Sequence, residues 1–140
     1  MTTVIDSNVI VALWDSDDTL NAEAQLALDS ALDRGTLVVP APVFAELMAL
    51  PGRTESFLDA FFRDTGVNVD WALEERVWRS AGRAFQGYAA RPRKQRGPTP
   101  RRILADFLIG AYAASRGFPL LTLDAGFYRA GFPELRILTA

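Results

Sequence analysis

The chain has 140 residues, 49% apolar and 23% charged, with a formal net charge of −2. That balance suits one packed domain and excludes a disordered chain. Cysteine and histidine are both absent, which excludes disulfides, thiolate metal sites, cysteine nucleophiles, imidazole ligands and the Ser-His-Asp triad. Hydrolytic chemistry here is left to carboxylates, hydroxyls, Lys/Arg and a hard metal ion. The apolar runs, such as Val9 to Trp14, are too short to span a bilayer, and Met1-Thr2-Thr3 lacks the start of a signal peptide. The expectation is a cytoplasmic protein with no membrane partner.

The predicted elements alternate. Residues 2–6 read as a short buried strand, and Asp6-Ser7-Asn8 opens an apolar helix through about Trp14. Residues 20–34 form an amphipathic helix ended by Gly35, and 37–40 form a second strand. Pro42 sits in the first turn of a helix running to about Leu50. After Pro51-Gly52 come a helix over about 54–65 and a strand at 67–69. A long helix over about 72–89 carries the stripe Leu73, Val77, Ala81, Ala84, Phe85 and Tyr88. Residues 90–100, with three prolines or glycines at Pro92, Gly97 and Pro98 and a further proline at Pro100, read as a loop. A helix over about 101–116, a strand at 120–123, a short helix after Asp124 and a strand at 135–138 complete the chain. Near-continuous apolar strands alternating with helices predict one α/β domain over 1–140. Its sheet is mainly parallel, of about four to five strands, covered on both faces.

Charge is segregated. From Arg76 to Ala105 there are nine basic residues and no acid, so the rest of the chain carries six basic residues against all 17 acids. A basic stripe on an acidic body suits a polyanion such as a phosphate backbone, and a solvated loop is the plain alternative. Arg91, Arg93, Lys94, Arg96, Arg101 and Arg102 are the candidate phosphate-backbone contacts.

Four acids stand in apolar surroundings. Asp6 and Asp124 each follow an apolar strand, at the edge where open α/β sheets bind ligands. Glu46 lies on the apolar side of its helix, and Asp106 lies in a helix that is apolar nearly all round. A buried carboxylate needs a counter-charge. Oxygen is the only ligand type available to these four, which favours Mg²⁺, with Mn²⁺ as the other candidate. Each acid also has a structural alternative. Asp6 and Asp124 could cap helices, Asp106 could face a helix dipole, and Glu46 could pair with a distant arginine.

The sequence resembles a PIN domain, and within that family the VapC-like toxins of bacterial toxin–antitoxin pairs. The matching pieces are Val4-Ile5-Asp6-Ser7-Asn8-Val9-Ile10 and Pro42-Val43-Phe44-Ala45-Glu46-Leu47, followed by the stretches from Ile103 to Ala111 and from Leu120 to Phe127. The resemblance implies a metal-dependent endoribonuclease with Asp6, Glu46, Asp106 and Asp124 as its acidic, metal-holding site. Ser7 stands where many relatives have threonine, and the hydroxyl survives. Ser7, Asn8 and Thr122 are expected to hydrogen-bond the carboxylates. The stretch Arg91 to Pro100 is longer and more basic than the family pattern suggests.

The expected partners are an RNA substrate, a VapB-like antitoxin and a second copy of the chain. The apolar helices carrying Trp14 and Phe57, Leu58, Phe61 and Phe62 offer a groove for an amphipathic segment of the antitoxin. Two rival readings stand beside this one. A catalytically silent RNA-binding or interaction module of the same fold would have no reason to bear the desolvation of four acids. A haloacid-dehalogenase or receiver-type phosphotransfer domain would want a well-placed lysine near a later strand, and the only lysine is Lys94.

Overall fold

In the computed structural model, which describes residues 1–91 and 104–139, the aliphatic runs form five short strands of one sheet. They are β1 (Thr2–Ile5), β2 (Thr36–Pro40), β3 (Asn68–Asp70), β4 (Leu120–Thr122) and β5 (Ile137–Thr139). The order is β3-β2-β1-β4-β5, and every neighbouring pair is parallel. Val4 lies opposite Val38 on one side and Leu120 on the other. The chain winds outward from β1 through β2 to β3, then returns to lay β4 against the opposite side of β1. The crevice past the carboxyl ends of β1 and β4 is therefore the switch point of the sheet, where successive connections leave to opposite faces.

Seven helices lie among the described residues: α1 (Ser7–Trp14), α2 (Asn21–Arg34), α3 (Ala41–Met48), α4 (Glu55–Thr65), α5 (Glu75–Ala90), α6 (Leu104–Arg116) and α7 (Ala125–Gly131). Local chemistry sets several of their ends. The Thr54 hydroxyl accepts from Phe57 N at 3.1 Å and starts α4, while Gly66 at φ 75° closes it in the left-handed region. The Asn21 side-chain amide donates to the Ala12 and Leu13 carbonyls and satisfies the end of α1. Val4, Ile5 and Val9 join Leu47, Ile109 and Leu120 in a core that is fully buried. Gly110 lets α6 approach the α7–β5 turn, since a Cβ there would stand 2.3 Å from the Phe132 ring.

Several boundaries differ from the sequence reading, most by one or two residues. Asp70 Oδ1 accepts from Ala72 N at 3.0 Å, and this turn delays α5 to Glu75, so Leu73 lies in the connection before the helix. Leu135 is buried in the turn after α7, where its N–H reaches the Phe132 carbonyl, and the last strand begins two residues later at Ile137. β3 is displaced by one residue, to Asn68–Asp70. The Tyr112 hydroxyl donates to Asp70 Oδ2 at 2.7 Å and Arg116 stands 3.4 Å from the same oxygen, which pins α6 to the end of β3. No helix among the described residues is long and apolar enough to cross a membrane.

Candidate active site

Asp6 is the first residue past β1 and is 2% exposed. It stands at the N-cap position of α1, yet its side chain makes no capping hydrogen bond. Oδ2 accepts from the Thr122 hydroxyl at 2.8 Å, and Oδ1 lies 3.4 Å from the Ser7 hydroxyl. That same Ser7 hydroxyl is 3.1 Å from Glu46 Oε1 on α3. Having a single proton, it can donate to only one of these two carboxylates at a time, and Glu46 is the nearer.

A second set of bonds ties the β4–α7 turn to the β1–α1 turn. Asn8 Nδ2 donates to Thr122 Oγ1 at 3.4 Å, and Leu123 N donates to Asn8 Oδ1 at 3.2 Å. Asp124 N donates to Thr122 Oγ1 at 3.0 Å. Thr122 and Ser7 bond carboxylates, whereas the Asn8 side chain acts through Thr122 and the backbone. Asp124 is half-buried at the N-cap position of α7, and its side chain makes no capping bond either.

The electrostatics gather three of the four acids. Burial pushes the Asp6 carboxyl from its ordinary 3.8 up to about 6, and Asp106 adds to the rise, against the hydroxyls of Thr122 and Tyr128. Burial, then Asp106 and Asp6, push Glu46 from 4.5 up to about 7, against the Ser7 hydrogen bond. The charged groups acting most strongly on both acids are other carboxylates. An all-oxygen, mutually repelling donor set matches a hard dication such as Mg²⁺ or Mn²⁺. Among the described residues, no three acidic side chains are drawn tightly enough to enclose an ion. The fit therefore lies in charge and donor chemistry.

Sequence reasoning missed Tyr128. It sits on α7 one turn after Asp124, is 1% exposed, and its buried hydroxyl bears on the Asp6 carboxyl. Burial first, and then Asp6, Asp106 and Glu46, raise the phenol well above its ordinary 10, so it stays protonated. The available signal was its spacing, because residues four apart share a helix face.

The basic segment divides. Arg93, Lys94, Arg96, Arg101 and Arg102 lie outside the described residues, and Arg91 follows the last turn of α5. Arg76 and Arg79 pair with Glu74 at 3.2 Å and Glu75 at 2.6 Å. The start of the basic stripe is thus balanced by the two acids just before it.

The aromatic residues expected to line a partner groove also divide. Leu58 and Phe62 are core, while Trp14 packs edge-on against Phe57 and Phe61 at 5.2 and 5.0 Å. The Arg53 guanidinium covers the Trp14 and Phe57 rings. Beside them a cavity of about 280 Å³ opens between α1, α2 and α4, lined by apolar side chains such as Ile10, Leu28 and Phe61 together with Gln25, Asp29 and Thr65.

A five-stranded parallel sheet with a carboxylate cluster at its switch point defines an α/β domain with an acidic crevice site. The sequence matches the PIN domain family model over residues 3–133, and the chain belongs to that family. In structure it is similar to VapBC2 from Rickettsia felis, solved bound to a DNA fragment from their promoter. The two share 18% identity over 99% of this chain and 98% of that one, with a TM-score of 0.66. VapBC-1 from nontypeable Haemophilus influenzae gives a TM-score of 0.67 at 18% identity, over 99% and 98% of the two chains. FitAcB from Neisseria gonorrhoeae gives 0.62 at 20% identity, over 97% and 96%. No curated protein matches the sequence.

Proposed function

We propose that this PIN-domain protein is a divalent-metal-dependent endoribonuclease acting as the toxin of a VapBC-like pair, with the whole chain forming one domain. The observation that carries the reading is the Asp6–Ser7–Glu46 arrangement, with a buried carboxylate and a second one sharing a single hydroxyl. Asp6 and Asp106 would be the primary metal ligands, and Glu46 and Asp124 would complete the set or orient water. The chemistry supplied by bound Mg²⁺ or Mn²⁺ would be water activation and neutralisation of charge on the phosphoryl oxygens. Thr122 and Ser7 hold the carboxylates in place, which lowers the reorganisation needed at reaction. Arg91, Arg93, Lys94, Arg96, Arg101 and Arg102 would hold the RNA backbone, a role supported by their charge.

The antitoxin reading is supported by the cavity between α1, α2 and α4, which suits the apolar face of a partner helix. An arginine from the same partner would neutralise the acidic crevice. A second copy of the chain is supported by the exposed Met48, Trp71 and Trp78, large apolar side chains left open to solvent.

The test is cleavage of single-stranded RNA with Mg²⁺ and with excess chelator, beside the Asp6→Asn variant. Cleavage that needs the ion and is lost in the variant supports the reading. Activity indifferent to both would refute it.

A further inference from the structure

We propose that Arg53 anchors a carboxylate side chain of a protein partner whose apolar face lies over Trp14, Phe57 and the adjoining cavity, an inference that rests on the partner-groove reading above. Arg53 is half-buried in the connection between α3 and α4. Its guanidinium stands 4.8 Å from the centre of the Trp14 ring and 4.6 Å from that of Phe57. Among the described residues it makes no ion pair and no side-chain hydrogen bond. Two aromatic faces hold the cation in place but do not satisfy its five N–H donors. Trp14 Nε1, in one of the rings that Arg53 covers, is likewise buried without an acceptor. Donors withdrawn from water and left unpaired are costly, and a carboxylate is the acceptor that matches a guanidinium fork best. Because the rings already fix the long side chain, a carboxylate binds it with less loss of rotamer freedom than at a free surface arginine.

The surroundings decide what presents the carboxylate. Phe61 meets Trp14 at 5.0 Å and also lines the cavity between α1, α2 and α4, so Arg53 stands at the head of an apolar surface. Such a surface suits an amphipathic segment carrying one acid beside its apolar side chains. A nucleic acid fits poorly. Asp15, Asp17 and Asp18 follow Trp14, and Glu55 and Asp59 follow Arg53, so a phosphate backbone would be repelled along its length. A single carboxylate meets Arg53 directly and feels the neighbouring acids largely through screening solvent.

The experiment follows the indole Nε1–H signal of Trp14 by NMR in the full chain, assigned by its loss in Trp14→Phe, during titration with sodium hexanoate and with hexanol. Hexanol tests the apolar contact alone. The expected result is that hexanoate binds wild type roughly ten-fold more tightly than hexanol does, the gain of one charge-assisted hydrogen bond. Arg53→Gln should abolish that preference, and Arg53→Lys should keep part of it. The comparison of the two probes in wild type stands whether or not either variant folds. Equal affinity for the two probes in wild type overturns the inference and leaves the groove reading standing, as does a preference that survives in folded Arg53→Gln. Binding of neither probe removes the groove reading and this inference with it. A single-stranded oligouridylate is the third titrant. If it shifts the same signal and loses that effect in Arg53→Gln, the surface takes RNA and the inference falls.

Discussion

Thr122 donates a 2.8 Å hydrogen bond to Oδ2 of Asp6 across 116 residues of sequence, joining the ends of two neighbouring parallel strands. The bond lowers the carboxyl's pKa against the burial that raises it. Thr122→Val keeps the shape and removes both the donor to Asp6 and the acceptor of Asn8 Nδ2 and Asp124 N. The expected cost in the metal-free protein is about 1–3 kcal/mol at pH 8, where Asp6 is ionised. The loss should be smaller at pH 5, below the value of about 6 for Asp6 in the fold. Urea unfolding at the two pH values measures the difference, and Thr122→Ser should restore most of the stability.

Asp106 raises both Asp6 and Glu46 by repulsion. Asp106→Asn should therefore abolish RNA cleavage while leaving the melting temperature in chelator unchanged or higher. A marked fall in that temperature would make Asp106 a structural ion-pair partner instead.

The raised acids give the metal-free protein a definite pH dependence. Asp6 moves from 3.8 to about 6 and Glu46 from 4.5 to about 7, so the folded state binds more protons than the unfolded chain between those values. Stability from these two groups is highest below about pH 4 and falls as pH rises to about 7, where the loss is nearly complete. The change should be on the order of 2–4 kcal/mol, with half-buried Glu46 contributing less than its shift suggests because solvent screens it. Melting in chelator from pH 5 to pH 8 should show the fall. Millimolar Mg²⁺ should flatten it, because the ion favours both ionised carboxylates.

Replacing Arg101 and Arg102 by alanine tests the basic segment. Each lost contact to single-stranded RNA removes a slope of roughly 0.7 in the logarithmic salt dependence. The double variant should therefore flatten that slope by about one unit. An unchanged slope would assign the segment to solvent or to a protein partner.

Gly110 permits the close approach of α6 to Phe132. Gly110→Ala should cost about 1–3 kcal/mol through overpacking, even though alanine is the better helix former. Thermal denaturation would report it as a lowered melting temperature, with cleavage per folded molecule unchanged.

The alternation of apolar strands and amphipathic helices was legible in the sequence because periodicity records which face of each element avoids water. The placement of Asp6 and Asp124 at strand ends followed from the same pattern, since each acid ends an aliphatic run. Absence of histidine and cysteine narrowed the candidate metal ligands to oxygen through composition alone. What periodicity does not carry is which faces meet. Only tertiary packing put Ser7 between Asp6 and Glu46, brought the Tyr128 hydroxyl near the acids, and opened a cavity between α1, α2 and α4. The Glu75–Arg79 pair, four residues apart on α5, is by contrast local. Sequence set the burial preference of each side chain. The parallel winding outward from β1 decided which of those side chains became neighbours, because strand order is a long-range choice made by the packing of whole elements.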